Sequence, residues 1–178
     1  MTAPSRLAHI VFRTNRMAAM RDWYCTVLEA HVVFGSDRIA FLTYDEEHHR
    51  IALIATETFA ERAPSPAVGF YHAAFTYDRL EQLLETHERL LGEGIKPWRT
   101  INHGPTISFY YADPDGNDVE LQVDRFADAA DAQAWMMGEA FSKNPIGIEI
   151  DPDDLRRRLA ADEPIASIMT RPDEASPA

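Results

Sequence analysis

The chain writes one supersecondary pattern twice. Leu7-Ala-His9-Ile-Val-Phe12 and Phe70-Tyr-His72-Ala-Ala-Phe75 each place a histidine third and a phenylalanine sixth in a short apolar run. A helical pattern follows each run. In the first, Met17, Met20, Trp23, Tyr24, Val27 and Leu28 recur at helical spacing, and Asn15 is placed to cap them. In the second, Leu80, Leu83, Leu84, Leu90 and Leu91 form the apolar side, and Gly92 or Gly94 closes the helix. Three strand patterns come after each helix, at residues 31–34, 39–44 and 49–55, then at 96–101, 106–111 and 118–123. A repeated unit constrains a fold more than composition can. The expected class is α+β: two paired β-α-β-β-β modules forming one half-closed barrel, helices outside and a cavity within.

These patterns predict one domain over residues 1–125, with modules at about 6–56 and 68–124. Residues 57–67, with two prolines and no periodicity, read as the linker between modules. Residues 126–178 form a C-terminal helical extension. Within it, 128–137 is a helical pattern, 141–147 an extended loop, and Asp151-Pro152 a helix start. Arg156, Arg157 and Arg158 read as a solvated helix face, and 169–178 as a disordered end.

The last hairpin carries the densest chemistry. Residues 106–111 are β-branched and aromatic, Asp113-Pro-Asp-Gly-Asn117 is turn chemistry, and 118–123 alternates. Val119, Leu121 and Val123 share one face; Asp118, Glu120 and Gln122 share the other. A tight turn brings Glu120 near Tyr110, Ser108 and His103.

Charge and cysteine content exclude several classes. A net charge of −12 argues against a nucleic-acid backbone as partner. No apolar run approaches a membrane span, and residues 1–6 show no signal-peptide pattern. The single cysteine, Cys25, excludes an internal disulfide framework, reads as a core thiol, and suits a reducing cytoplasm.

His9 and His72 occupy equivalent places in the two repeats, and Glu120 is a carboxylate on the polar face of the last strand. Two readings stand side by side. The three are either satisfied structural groups, or two imidazoles and one carboxylate on one face of a metal, the ligand set of non-haem Fe(II) oxygenases.

These residues resemble the vicinal oxygen chelate (glyoxalase, bleomycin resistance and dioxygenase) superfamily, over roughly residues 7–123. Within it, the chain is similar to a type I extradiol catechol dioxygenase reduced to its single catalytic domain. The turn at 113–117 followed by Glu120 is shared across that superfamily. More specific are His49 opening the last strand of the first unit, His103-Gly104 before the penultimate strand of the second, and Tyr110 ten residues ahead of Glu120. The resemblance implies His9, His72 and Glu120 as ligands of one Fe(II), with Mn(II) as the alternative, and O₂ as co-substrate. It implies Tyr110 bonding the substrate oxygen that loses its proton, His49 as acid–base group, and His103 orienting the hydroxyl or departing oxygen. The family pattern selects His49 over His48, which then faces solvent; His31 and His87 have no match and read as surface residues.

The expected partner is a catechol-type small molecule, with no nucleic acid or membrane and a homo-oligomeric assembly. Alternatives are a metal-dependent thiol transferase of the fosfomycin-resistance kind, in which His49 and His103 have no obvious work, and a metal-free protein that binds an aromatic drug. A glyoxalase-type isomerase lacks a fourth ligand near Ile51–Ile54. Residues 141–147 are expected to cover the cavity mouth or a dimer contact.

Overall fold

The computed structural model describes residues 2–55, 59 and 68–175. The linker reading at 57–67 falls, apart from Phe59, outside the described residues. The chain divides into two units: residues 1–71 with Asp113–Asn117, and 72–112 with 118–178.

In the first unit, β1 (Ile10–Thr14) leads to α1 (Met17–Leu28), then β2 (His31–Gly35), β3 (Ile39–Thr43) and β4 (Ile51–Ala55). The sheet order is β1-β4-β3-β2, with β1 parallel to β4 and the other pairs antiparallel. The second unit repeats this with β5 (His72–Tyr77), α2 (Leu80–Gly92), β6 (Arg99–Asn102), β7 (Thr106–Ala112) and β8 (Asp118–Asp124). Its order is β5-β8-β7-β6, again with the first and last strands parallel. The duplicated β-α-β-β-β pattern is therefore real, and both units are α+β with one mixed sheet each.

Each helix lays an apolar stripe on its own sheet. Met20, Tyr24, Val27 and Leu28 of α1 are buried, as are Leu80, Leu83, Leu84 and Leu90 of α2. Burying one such side chain is worth about 1.5–3 kcal/mol relative to exposure. Leu91 leaves this stripe and is 37% exposed. Beyond Gly92, Gly94 adopts φ +76°, and the Gly94 and Ile95 N–H groups donate to the Leu91 and Leu90 carbonyls. Asn15 does not cap α1; its amide donates to the Phe59 carbonyl, while Thr14 Oγ1 accepts the Arg16 N–H at 2.8 Å. Cys25 is half-buried on α1, not a core thiol.

The extension groups with the second unit. It contains α3 (Ala129–Met136), α4 (Glu139–Lys143), β9 (Ile148–Glu149), α5 (Pro152–Ala160) and α6 (Ile165–Met169). β9 pairs with β6 as a fifth strand, through Asn102↔Ile148 and Ile101↔Glu149. Asp151 caps α5 by accepting the Asp153 N–H, and Pro152 opens it, as its sequence predicts.

Three expectations for this region are corrected. Part of 141–147 is helical, since α4 runs to Lys143. Residues 169–175 are ordered: Met169 and Arg171 are buried, and a 3₁₀ turn spans Pro172–Ala175. The expected disorder of 176–178 lies outside the described residues. Arg156 and Arg158 are not a free solvated face, because Arg156 donates to the His87 ring and Arg158 pairs with Glu163 at 2.6 Å. His87, expected at the surface, is 5% exposed, with its ring edge-on to Phe109. Among the described residues no helix is long and apolar enough to cross a membrane.

Candidate active site

The second unit gathers four of the expected site residues. Glu120 lies mid-strand in β8, opposite Tyr110 of β7. Directly opposed residues of an antiparallel pair share a face, so the tyrosine and the carboxylate emerge together. On the other side, β5 runs parallel to β8, and His72 at its start brings Nε2 to 3.0 Å from Glu120 Oε2. The Glu120 side chain is 6% exposed and that of His72 30%. The His72 ring stands edge-on to Tyr110, with centroids 5.6 Å apart. Trp98 completes an aromatic wall, 5.7 Å from Tyr110, with its indole N–H donating to Asp118.

His103 occupies the turn between β6 and β7. Its N–H donates to the Thr106 carbonyl, and Gly104 turns the chain with φ +101°. The ring is held at both nitrogens. Nδ1 lies 2.5 Å from the Ile146 carbonyl and Nε2 2.9 Å from the Tyr110 hydroxyl. A carbonyl only accepts, so Nδ1 carries hydrogen. Burial, as the largest influence, lowers the His103 pKa and favours the neutral ring. Neutral Nε2 then accepts from Tyr110 O–H.

The first unit holds His9, His48 and His49, all in loop segments. His9 lies just ahead of β1, outside the strand, and is exposed. Its backbone is fixed by Arg50, whose guanidinium donates to the Leu7 and Ala8 carbonyls and pairs with Asp45. His49 stands two residues ahead of β4. Its ring packs 4.4 Å from His9, 4.7 Å from Phe41 and 4.5 Å from His48. The alternation of strand residues, which would turn only one of His48 and His49 inward, does not operate outside a strand. Their Nδ1 atoms approach to 2.6 Å, with the His48 side chain 69% exposed. Desolvation, then the neighbouring His9 and His48, lower the His49 pKa.

The turn at Asp113–Asn117 is tied down within the first unit. The buried Asp113 carboxylate accepts from Tyr24 O–H at 3.0 Å, from the Asp115 and Asn117 N–H groups, and from the Asn117 amide. Arg16 adds a bond to the Pro114 carbonyl. These bonds give the turn a structural task and fix where β8 begins.

Two partners escaped sequence reasoning. The Ile146 carbonyl is a backbone group, invisible to residue-type arguments. Arg171 falls within 169–178, which reads as a disordered end, yet it is buried.

The donor chemistry of the second unit fits a metal. His72 Nε2 and Glu120 Oε2 lie 3.0 Å apart, an imidazole and a carboxylate that would suit a divalent transition metal. The same separation serves a hydrogen bond from imidazole to carboxylate. Among the described residues no group of three or more His, Cys, Asp or Glu side chains is arranged as a metal cluster.

Comparison with known proteins covers nearly the whole chain. Residues 6–121 match the model of the Glyoxalase/Bleomycin resistance protein/Dioxygenase superfamily. The chain is 47% identical over 170 residues to biphenyl-2,3-diol 1,2-dioxygenase 2 of Rhodococcus globerulus, covering 96% of this chain and 90% of that one. It is 43% identical over 173 residues to biphenyl-2,3-diol 1,2-dioxygenase 3 of the same organism, with the same coverage. Both matches reach past the superfamily domain into the C-terminal extension. Among solved structures, a lactoylglutathione lyase from Agrobacterium tumefaciens shares the fold, with a TM-score of 0.55 and 21% identity over 68% of this chain and 96% of that chain.

Proposed function

Because the chain belongs to the Glyoxalase/Bleomycin resistance protein/Dioxygenase superfamily, we propose that it is an Fe(II)-dependent extradiol dioxygenase that opens catechol-type rings beside the two hydroxyls. The biphenyl-2,3-diol dioxygenases it resembles along 96% of its length support this activity, and they support a biaryl catechol as substrate. The observation that carries the reading is the placement of the His103–Tyr110 hydrogen bond next to the His72–Glu120 pair. Thiol transfer and drug sequestration leave that proton-handling pair without a task.

In this proposal His72 and Glu120 hold the metal, and His9 is the third ligand. Bound Fe(II) supplies Lewis acidity toward the catechol oxygens and open positions for substrate and O₂. The protein's own groups manage protons and orientation. Tyr110 has its O–H directed at His103, so its phenolic oxygen accepts from a substrate hydroxyl. Trp98 and Tyr110 offer aromatic faces to an aromatic guest. His49 serves as the acid–base group: neutral, it takes a catechol proton, and it returns that proton to the departing oxygen.

Self-association is part of the proposal, supported by Val32, Val33 and Phe34 on the exposed edge strand β2. Light scattering on the purified protein should give a multiple of 20.1 kDa.

The test is a substrate panel. Protein loaded anaerobically with Fe(II) is mixed with monocyclic, biaryl and amino-acid catechols, and oxygen is admitted. Coloured semialdehyde-type products should appear, fastest with biphenyl-2,3-diol. Turnover of monocyclic catechols alone would remove the biaryl assignment, and no product from any catechol would remove the activity.

A further inference from the structure

A buried arginine of the extension lies behind the His103 turn. Arg171 is 0% exposed, the largest fully buried side chain among the described residues. Its Nη1 donates to the Asn144 carbonyl at 2.7 Å and to the His103 carbonyl at 3.2 Å. Nη2 donates to the Ala140 carbonyl and Nε to Asp173 Oδ1, each at 2.6 Å. The guanidinium also lies over the Trp135 ring, 5.1 Å from its centroid. A buried cation is costly unless paired and hydrogen-bonded. Four of its five N–H donors are bonded, to groups at His103, Ala140, Asn144 and Asp173, and the Trp135 ring covers the guanidinium.

What Arg171 binds is a short connection seated on the His103 turn. Asn144 brackets that connection: its amide donates to the Gly147 carbonyl and its Oδ1 accepts the Gly147 N–H. Gly147 has φ +99°, and a Cβ there would stand 2.3 Å from the Asn102 oxygen and 2.7 Å from the His103 Cα. The two backbones are therefore in direct contact. Trp135 closes the other side, since a Cβ on Gly104 would fall within 1.9 Å of its ring. Between these fixed points the Ile146 carbonyl meets His103 Nδ1.

We propose that Arg171 is a positioning residue, which locks residues 144–147 onto the His103 turn so that the Ile146 carbonyl enforces the Nδ1–H tautomer and leaves Nε2 to accept from Tyr110. A neutral histidine in water favours the opposite, Nε2–H tautomer, which would meet Tyr110 as a donor. Tyr110 would then turn its own hydrogen toward the substrate and lose its accepting role. The extension thus selects which way the proton-handling pair points. Burial lowers the His103 pKa and so favours the neutral ring, the state in which one nitrogen is free to accept. The tautomer itself follows from the hydrogen bonds, while its catalytic consequence rests on the ring-cleavage proposal.

The experiment reads the tautomer on metal-free protein carrying ¹⁵N-labelled histidine, with long-range proton–nitrogen correlation at neutral pH. His103→Gln identifies the His103 signals by their loss. Wild type should show protonated Nδ1 and an unprotonated Nε2. Arg171→Met keeps length and removes every donor; Gly147→Ala forces the connection away from Asn102 and His103. Both should shift the His103 ring toward Nε2–H, with Arg171→Lys intermediate. In iron-loaded protein the same variants should lose about 10- to 100-fold in kcat, the range for orienting partners, with iron content and catechol KM close to wild type. Where Arg171→Met does not fold, as judged by circular dichroism, Gly147→Ala carries the same comparison. Nε2–H in wild type, or an unchanged tautomer in folded Arg171→Met and Gly147→Ala, would overturn the inference. A wild type without ring cleavage would remove the proposed function and leave the tautomer result standing.

Discussion

Tyr110 and Glu120 stand directly opposite one another across the β7–β8 ladder. The nine residues between them in sequence are the two strand arms and the turn at 113–117, which Tyr24 and Asn117 hold through the Asp113 carboxylate. An insertion of one residue in that turn would flip every side chain of β8 to the other face. The spacing is therefore a statement of register.

Glu120→Gln keeps the shape and removes the charge that offsets a bound cation. Its Oε2 is also the partner of His72. Iron affinity in a chelator competition should fall by at least the roughly 10- to 100-fold seen for weaker outer-shell losses. Equal iron retention by wild type and variant would show that Glu120 is not a ligand.

Much of this arrangement was legible in the residues. Hydrophobic periodicity gave both β-α-β-β-β units, because each helix and each strand buries one face and exposes the other. The 113–117 turn chemistry gave the hairpin and hence the Tyr110–Glu120 pairing. Strand starts differ at His9, where apolar Ala8 and Ile10 continue the pattern, and at His49, ahead of the apolar run 51–55; in both, the strand begins only after the histidine. His87 was misread although a signal existed: it follows Leu83 by four residues and Leu84 by three, on the buried side of α2. Arg171 had no such signal. Its burial depends on carbonyls of Ala140, Asn144 and His103, up to 68 residues away, and backbone acceptors carry no residue code.

His49 and His48 separate proton transfer from surface chemistry. Only His49 packs against His9 and Phe41, while His48 is largely exposed. His49→Gln should leave iron content and catechol affinity near wild type and lower turnover by about 10²- to 10⁴-fold. His48→Gln should cost less than about tenfold on the same scale. A silent His49→Gln beside a crippled His48→Gln would exchange their roles; two silent variants would remove the acid–base assignment.

Stability should fall on mild acidification. Burial, then the Arg156 cation, lower the His87 pKa from the ordinary 6.5, and His87 Nδ1 accepts from Arg156. The unfolded chain thus holds this proton more tightly than the folded one. The contribution is fully present above about 6.5 and is lost as pH drops below it toward the lower folded value. His103 and His49 are shifted the same way and act in the same direction. Urea denaturation at about pH 7.5 and about pH 5.5 should show wild type losing more stability than His87→Gln. An equal loss in both would place the acid sensitivity elsewhere.

The most direct measurement follows the oxygen atoms. Fe(II)-loaded protein is given biphenyl-2,3-diol under isotopically labelled O₂ in ordinary water, and the ring-cleaved product is weighed by mass spectrometry before its carbonyl oxygens exchange. Extradiol cleavage predicts one labelled oxygen in the new carboxylate and one in the new aldehyde or ketone, with the enol oxygen unlabelled because it is a substrate hydroxyl, and one O₂ consumed per catechol. A product without label, or oxygen consumption that yields only quinone and an intact ring, would contradict the account.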